Sequence, residues 1–461
     1  MTVFDPVAYG AKADGVTVDT HAIQSAIDAA HAQGGGTVIF QAGGKYISGS
    51  LVMKSNVFLN VEGGALLKAS TNWDDITARW PGDPKITPAD GAQVHCGHFL
   101  AAYRGTTNIG IFGTGIIDGS GEHYRGEDTG TEYKIMLQRP FLLFWLGVVG
   151  VTIKDVTLRE SACWTVRLGG CEDVLITGVR IRANMKLPNA DGIDLDRCRR
   201  VRISDCDIIC ADDGVSLKNC REFHEYGLCE DIVVSNCTIT SKSSGLVVGV
   251  ETAESIRNAT FTNCVIRASN RGLSVNLAEN SCHENIIFSN IVVETKIAAH
   301  QSLGAIPAAA QADVPIYVSV SPWFTHSTVG TVRNLRFTNI LCRSECGVYI
   351  CADQLGWIED VVLDGIRLEL SHWSGSTHPE EQGGFYDRRP TPGVKIYKPQ
   401  EGIAGFHLEN IRNVTIKNSR VVFADKEDYW ANAVYARGCE ELTVDVAGKA
   451  AKEGLKAIDI A

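Results

Sequence analysis

The feature that most constrains this chain is a short strand unit that recurs along it. The unit has apolar residues at alternate positions, then a small polar turn residue, then another apolar residue. It appears as Val151-Thr-Ile-Lys-Asp155-Val, Val174-Leu-Ile-Thr-Gly178-Val and Val201-Arg-Ile-Ser-Asp205-Cys. It continues as Ile232-Val-Val-Ser-Asn236-Cys, Ala259-Thr-Phe-Thr-Asn263-Cys, Ile286-Ile-Phe-Ser-Asn290-Ile and Leu335-Arg-Phe-Thr-Asn339-Ile. The turn residues are 23, 27, 31, 27, 27 and 49 positions apart, the last interval holding an insertion. A second column keeps the same register: Asp191-Gly192, Asp213-Gly214, Ser244-Gly245 and Arg271-Gly272 each precede an apolar strand.

A period in the twenties built of short strands with almost no helix predicts a parallel β-helix. Leucine-rich repeats need a Leu-x-x-Leu-x-Leu frame that is absent, and propeller blades need about 40 residues each. One rung cannot bury its own apolar face, so stacked rungs share one core. The 461 residues are therefore expected to form a single all-β solenoid over 1–461. Residues 1–65 form its N-terminal cap region. There Ile23, Ala26, Ile27 and Ala30 recur at helical spacing between Asp19-Thr20 and Gln33, before Gly34-Gly35-Gly36 ends the pattern. This short helix is expected to cover the open N-terminal end. Two stretches leave the period, 296–330 with Trp323 and Phe324, and 371–401 with Trp373, Phe385, Tyr386, Arg388 and Arg389. They read as inserted loops, either packed on the rungs or lining a binding face.

Composition excludes several classes. Lys and Arg number 43 against 54 Asp and Glu, a net charge of −11. That argues against nucleic acid and anionic membranes, which bind clustered cations. No apolar run reaches the length of a transmembrane helix. The 15 cysteines lack metal-ligand spacing and read as buried small hydrophobes of a reducing compartment. Cys206, Cys237 and Cys264 fall in one column, an expected inward ladder. The start, Met1-Thr-Val-Phe-Asp-Pro, shows no secretory pattern, so a cytoplasmic location is expected.

The chemistry-bearing residues are stacked carboxylates. Asn189-Ala-Asp191-Gly192 lies on one rung and Asp212-Asp213-Gly214 at the same register on the next. Rungs are about 4.8 Å apart, so Asp191, Asp212 and Asp213 share one patch. Carboxylates that close raise one another's proton affinity, which would supply a general acid beside groups that activate water. Two plainer readings stay open at this level, ordinary Asp-Gly turns and a Ca²⁺ site. Asp194 and Asp196 read as solvated strand positions.

These runs, Asn189-Ala-Asp191-Gly192 and Asp212-Asp213-Gly-Val-Ser-Leu-Lys218, resemble the paired signature of the polygalacturonase family, glycoside hydrolase family 28. Tyr9-Gly-Ala-Lys-Ala-Asp-Gly, Ile111-Phe-Gly-Thr-Gly-Ile-Ile-Asp118-Gly, Arg139-Pro140 and Ser161-Ala-Cys-Trp164 resemble further markers of that family. The resemblance runs from about residue 4 to 420. It implies a right-handed parallel β-helix and an inverting hydrolase of pectic glycosidic bonds that needs no metal or cofactor. Carried over by position, Asp212 is the general acid, Asp191 and Asp213 activate the water, and Asn189 orients the group. Lys218 matches a family lysine that neutralises the aspartates or contacts substrate.

Two departures qualify the substrate. The family's Gly-His-Gly rung reads Ser243-Ser244-Gly245 here, and its Arg-Ile-Lys reads Ser274-Val-Asn276. Paired cations grip a uronate carboxylate through charge-assisted bonds, whereas Ser and Asn suit hydroxyls. The expected substrate is therefore a pectin-related oligosaccharide or polysaccharide other than plain polygalacturonan. A cytoplasmic enzyme that trims imported oligosaccharides, its groove walled by the long insertions, is expected to cleave from a chain end. Asn276 and Arg271 are candidate substrate contacts, and His224, with Glu225, is a candidate replacement for the missing histidine. A β-elimination lyase and a non-catalytic glycan-binding solenoid are the competing classes.

Overall fold

Strands form where apolar residues alternate, and they stop where the backbone must turn left-handed. The computed structural model describes residues 2–79, 95–136, 138–296, 313–322, 328–375, 385–386, 396–397 and 402–461. They divide into two compact units, Met1–Val215 with Glu222–Gly227, and Ser216–Arg221 with Leu228–Ala461. Each is a stack of parallel strands, as the repeats predict.

In the first unit the helix Thr20–Ala32 buries Ala22, Ile23, Ala26, Ile27 and Ala30. That face packs on the opening strands Val3–Phe4 and Gly36–Phe40. The helix ends where Gly34, just past the C-cap Gln33, turns left-handed at φ +90°, and Gly35 follows at φ +137°, where an added Cβ would lie 2.8 Å from the Asn56 carbonyl oxygen. Farther along, Val149–Lys154, Glu172–Thr177 and Arg199–Ser204 stack in register. Val151 lies against Val174 and Val174 against Val201, with Ile153, Ile176 and Ile203 stacked in the same order. A second face of the same rungs pairs Val166–Gly169 with Ile193–Asp196, Leu168 opposite Leu195.

The second unit repeats this with longer strands. Val234, Phe261, Phe288, Phe337, Leu363 and Ile416 occupy one inward position of their strands. The three phenylalanine rings stack at 4.7 and 5.2 Å. Each such side chain contributes about 1.5–3 kcal/mol by leaving water, so the fold is held by columns rather than by any single contact. On the other face Leu273 and Val275 meet Ile316 and Val318. The strand Ile316–Val320 thus places a regular rung inside the stretch 296–330 that reads as a loop. Its Trp323 and Phe324 lie outside the described residues, as do Arg388 and Arg389 and the side chains of Phe385 and Tyr386 in the second stretch. Trp373 packs against the rungs, its Nε1 donating to the Thr295 carbonyl at 3.2 Å.

The turn column behaves as the sequence requires. Asp155, Gly178, Asp205, Asn236, Asn263, Asn290 and Asn339 all have φ between +53° and +66°. Asp and Asn are, after Gly, the residues that tolerate this region best. Cys206, Cys237 and Cys264 are buried, and each thiol donates to a carbonyl two residues earlier at 3.2 Å. All fifteen cysteines are unbridged.

Candidate active site

Asp191, Asp212 and Asp213 sit in the turns that open two successive rungs of the first unit. Thr165 N–H donates to the Asp191 carbonyl at 3.1 Å, and Gly192 N–H to the Asp213 carbonyl at 2.8 Å. Gly192 is required here: a Cβ would stand 2.3 Å from the Gly214 carbonyl oxygen. This close approach stacks the turns, and one oxygen of each aspartate lies within 4.8 Å of the other two. Asp191 and Asp213 are buried, while Asp212 is half-buried and the most accessible of the three. The concentrated negative charge is felt by Cys210 beneath them. Its thiol is pushed well above the ordinary range, first by burial and then by Asp191, Asp212, Asp213 and Asp194.

Asn189 joins this group through an anchor. Its backbone is left-handed, φ +56°, and its Oδ1 accepts from Arg139 Nη2 at 2.6 Å. The amide is thereby fixed with Nδ2 toward Asp212, 3.5 Å from Oδ2. Arg139 is fully buried and also donates to the carbonyls of Pro188 and Ala162. The sequence offers Arg139-Pro140 only as a family marker, because its partners stand 23, 49 and 50 residues away.

Asp194 and Asp196 correct an expectation. Both are fully buried, not solvated. Asp196 pairs with buried Arg167 at 3.0 Å, and the guanidinium of Arg167 lies 4.3 Å over Trp164 and 5.0 Å over Phe223. Outward-facing strand positions here are covered by a further layer of side chains, so alternation alone does not predict their exposure.

The remaining candidates divide. His224 is three-quarters exposed, Nδ1 3.8 Å from Glu225 Oε2, a surface pair. In the second unit Lys218 is 1% exposed, and its Nζ meets Glu251 Oε2 at 2.7 Å. Glu251 is a partner that sequence spacing did not indicate. Arg271 lies 4.9 Å over the ring of Tyr317. Asn276 keeps a buried Oδ1 that makes no hydrogen bond. Ser274, at the other substituted position, is buried and donates to Ser244 at 3.2 Å, so its hydroxyl is committed within the protein.

Such a site can pass a proton to a leaving oxygen and hold a water between carboxylates. The nearest carboxylate oxygens are closer than the roughly 6.5–9.5 Å between acid and base in inverting glycosidases, so spacing alone does not indicate inversion.

Comparison with known proteins agrees with the fold. A probable polygalacturonase of Vitis vinifera is 31% identical over 264 residues, 55% of this chain and 52% of that protein. An exo-poly-alpha-D-galacturonosidase of Dickeya chrysanthemi is 28% identical over 260 residues, 46% of this chain and 41% of that protein. The chain thus spans about half the length of the curated relatives it matches. Among solved structures, the family 28 exopolygalacturonase of Yersinia enterocolitica superposes with a TM-score of 0.70 at 17% identity, covering 96% of this chain and 78% of that one. The exopolygalacturonase of Thermotoga maritima gives 0.62 at 19% identity, covering 97% and 91%. Residues 6–138 match the rhamnogalacturonase A/epimerase, pectate lyase-like model. The Glycosyl hydrolases family 28 model matches residues 86–369, which include every aspartate of the cluster and Arg139, and the chain belongs to that family.

Proposed function

We propose that this protein is a glycoside hydrolase that cleaves a pectin-related glycan with inversion, acting from a chain end. The observation that carries the hydrolase reading is the convergence of Asp191, Asp212 and Asp213 within 4.8 Å, while inversion rests on the resemblance to family 28. Asp212, the accessible member, protonates the leaving oxygen. Asp191 and Asp213, buried beside it, activate the attacking water, and Asn189 holds Asp212 in place. The exo-acting names of the Dickeya, Yersinia and Thermotoga proteins support attack at a chain end. Ser274 and Asn276, neutral where the family carries two cations, favour a sugar recognised through hydroxyls over plain polygalacturonan. Unbridged cysteines favour a reducing compartment, so the enzyme trims oligosaccharides in the cytoplasm; cell fractionation checks this.

The test is a panel of pectic oligosaccharides with wild type and Asp212→Asn, following reducing ends and the anomer first released by proton NMR. General acid catalysis is worth about 10²–10⁴-fold, so Asp212→Asn should lose at least that lower figure while keeping its thermal midpoint. Full activity in Asp212→Asn removes the acid assignment, and a retained anomer removes inversion. Unsaturated products would instead establish the lyase.

A further inference from the structure

We infer that Cys351, His407 and Glu409 form a binding site for one divalent transition-metal ion of the zinc type. Strand register brings them together. Cys351 lies on the strand Val348–Ala352, and His407 and Glu409 on Phe406–Glu409. The two strands pair in parallel, with Tyr349 opposite His407 and Cys351 opposite Glu409. Strand residues two apart share a face, so all three side chains project to one side. One ligand atom from each lies within 4.8 Å of the other two, and His407 Nε2 is 3.1 Å from Glu409 Oε1. Cys351 and His407 are buried, and the Glu409 side chain is 21% exposed.

The imidazole is held between two rings. Tyr349 stacks on one face at 5.4 Å and Tyr435 on the other at 4.9 Å. A ring clamped this way keeps its in-plane nitrogen aimed at Glu409 and Cys351, which is the orientation a metal requires. Arg437, opposite Glu409 in register, is turned to Asp459 at 2.6 Å and lies 4.0 Å over Tyr435.

The donor set selects the ion. Thiolate sulfur, imidazole nitrogen and a carboxylate oxygen suit Zn²⁺ or Co²⁺, whereas Mg²⁺ and Ca²⁺ take oxygen shells. Zinc bonds of about 2.0–2.3 Å require the three donors to draw together by small side-chain rotations. Among the described residues three ligands are present, which leaves one tetrahedral position to be filled. Binding displaces the Cys351 thiol proton to solvent, so affinity rises with pH.

The experiment strips the full chain with a chelator and titrates it with Co²⁺ and then Zn²⁺. The readouts are the near-ultraviolet thiolate-to-cobalt charge-transfer band, metal per chain by mass spectrometry after dialysis, and the thermal midpoint. Wild type should take up one equivalent, show the band, lose it when Zn²⁺ displaces Co²⁺, and gain thermal stability with Zn²⁺. Cys351→Ser should lack the band, and His407→Gln should bind at least tenfold more weakly. Both variants should melt as metal-free wild type does in the absence of metal, which separates a lost ligand from a lost fold. The inference is overturned if wild type shows no band, or if the band survives in Cys351→Ser and another thiol is the source. It is equally overturned if Cys351→Ser and His407→Gln retain the ion and Asp191→Asn loses it.

Discussion

Arg139 shows how one side chain can govern a site it never enters. Its guanidinium binds Asn189 and two carbonyls from inside the rungs, and Asn189 in turn faces Asp212. Lysine keeps the charge but has no planar fork, so Arg139→Lys can satisfy only part of that set. A buried acceptor left unpaired costs about 1–3 kcal/mol, and Arg139→Lys should lower the urea midpoint by a corresponding amount. Displacement of a catalytic group by about 1 Å costs on the order of 10²-fold. With a cleaved pectic oligosaccharide, kcat should therefore fall tenfold or more while KM changes little. A fall in stability with kcat intact would make Arg139 structural only. The aspartates were legible in the sequence because each motif is contiguous and the period puts them on neighbouring rungs. Arg139, Glu251 and the Arg167–Asp196 pair were not, because their partners are distant and alternation says nothing about what covers an outward face.

The strand and its turn are the element that the sequence describes most fully. Both the period and the left-handed residue appear in the alignment of Asp155 through Asn339, and every one of those positions has positive φ. A second left-handed column precedes the apolar run instead of following it, so the repeat unit does not contain it. Asp231, Asn258, Asn285 and Asn334 have φ from +53° to +60°. Their side chains form a ladder, Asn258 to Asp231 at 3.0 Å, Asn285 to Asn258 at 3.0 Å and Asn334 to Asn285 at 2.7 Å. At Asn263, Gly accepts the same backbone without penalty, whereas Val places a branched Cβ at φ +54°. Strain of that kind costs about 1–3 kcal/mol. Equilibrium urea unfolding should find Asn263→Gly near wild type and Asn263→Val destabilised by that amount. Equal effects would mean that the side chain, not the φ angle, fixes the residue. Where the period breaks, as before Ile316–Val320, the strand was hidden by the loop-like residues around it.

For the whole molecule, acidity of the medium reaches the core through two residues that the repeat pattern does not foresee. His283 occupies an inward position between Ile256 and Val332 and is fully buried. Burial lowers its pKa from 6.5 to about 4. The unfolded chain therefore binds a proton below pH 6.5 that the folded chain refuses. Stability from this residue is complete above 6.5 and is lost as pH falls toward 4. At 1.36 kcal/mol per unit the loss is about 3 kcal/mol. Asp313 acts with the opposite sign. It is fully buried, and burial, followed by the charge of Glu345, raises its pKa well above 3.8. Its stabilisation is complete below the unfolded value and declines as pH rises through the folded one. The two slopes oppose one another above pH 3.8 and below 6.5, and each can be removed separately. His283→Leu continues the aliphatic column, so its thermal midpoint should exceed that of wild type most at pH 4 and converge toward it above 6.5. Asp313→Asn keeps the shape and removes the titration, so its stability should no longer decline as pH rises above 3.8, and its acid limb, freed of that opposing slope, should be steeper than that of wild type. Thermal midpoints of wild type and both variants across this range decide the matter. An acid limb that is the same with and without His283 would assign acid unfolding to the surface carboxylates of a chain carrying a net charge of −11, and not to its core.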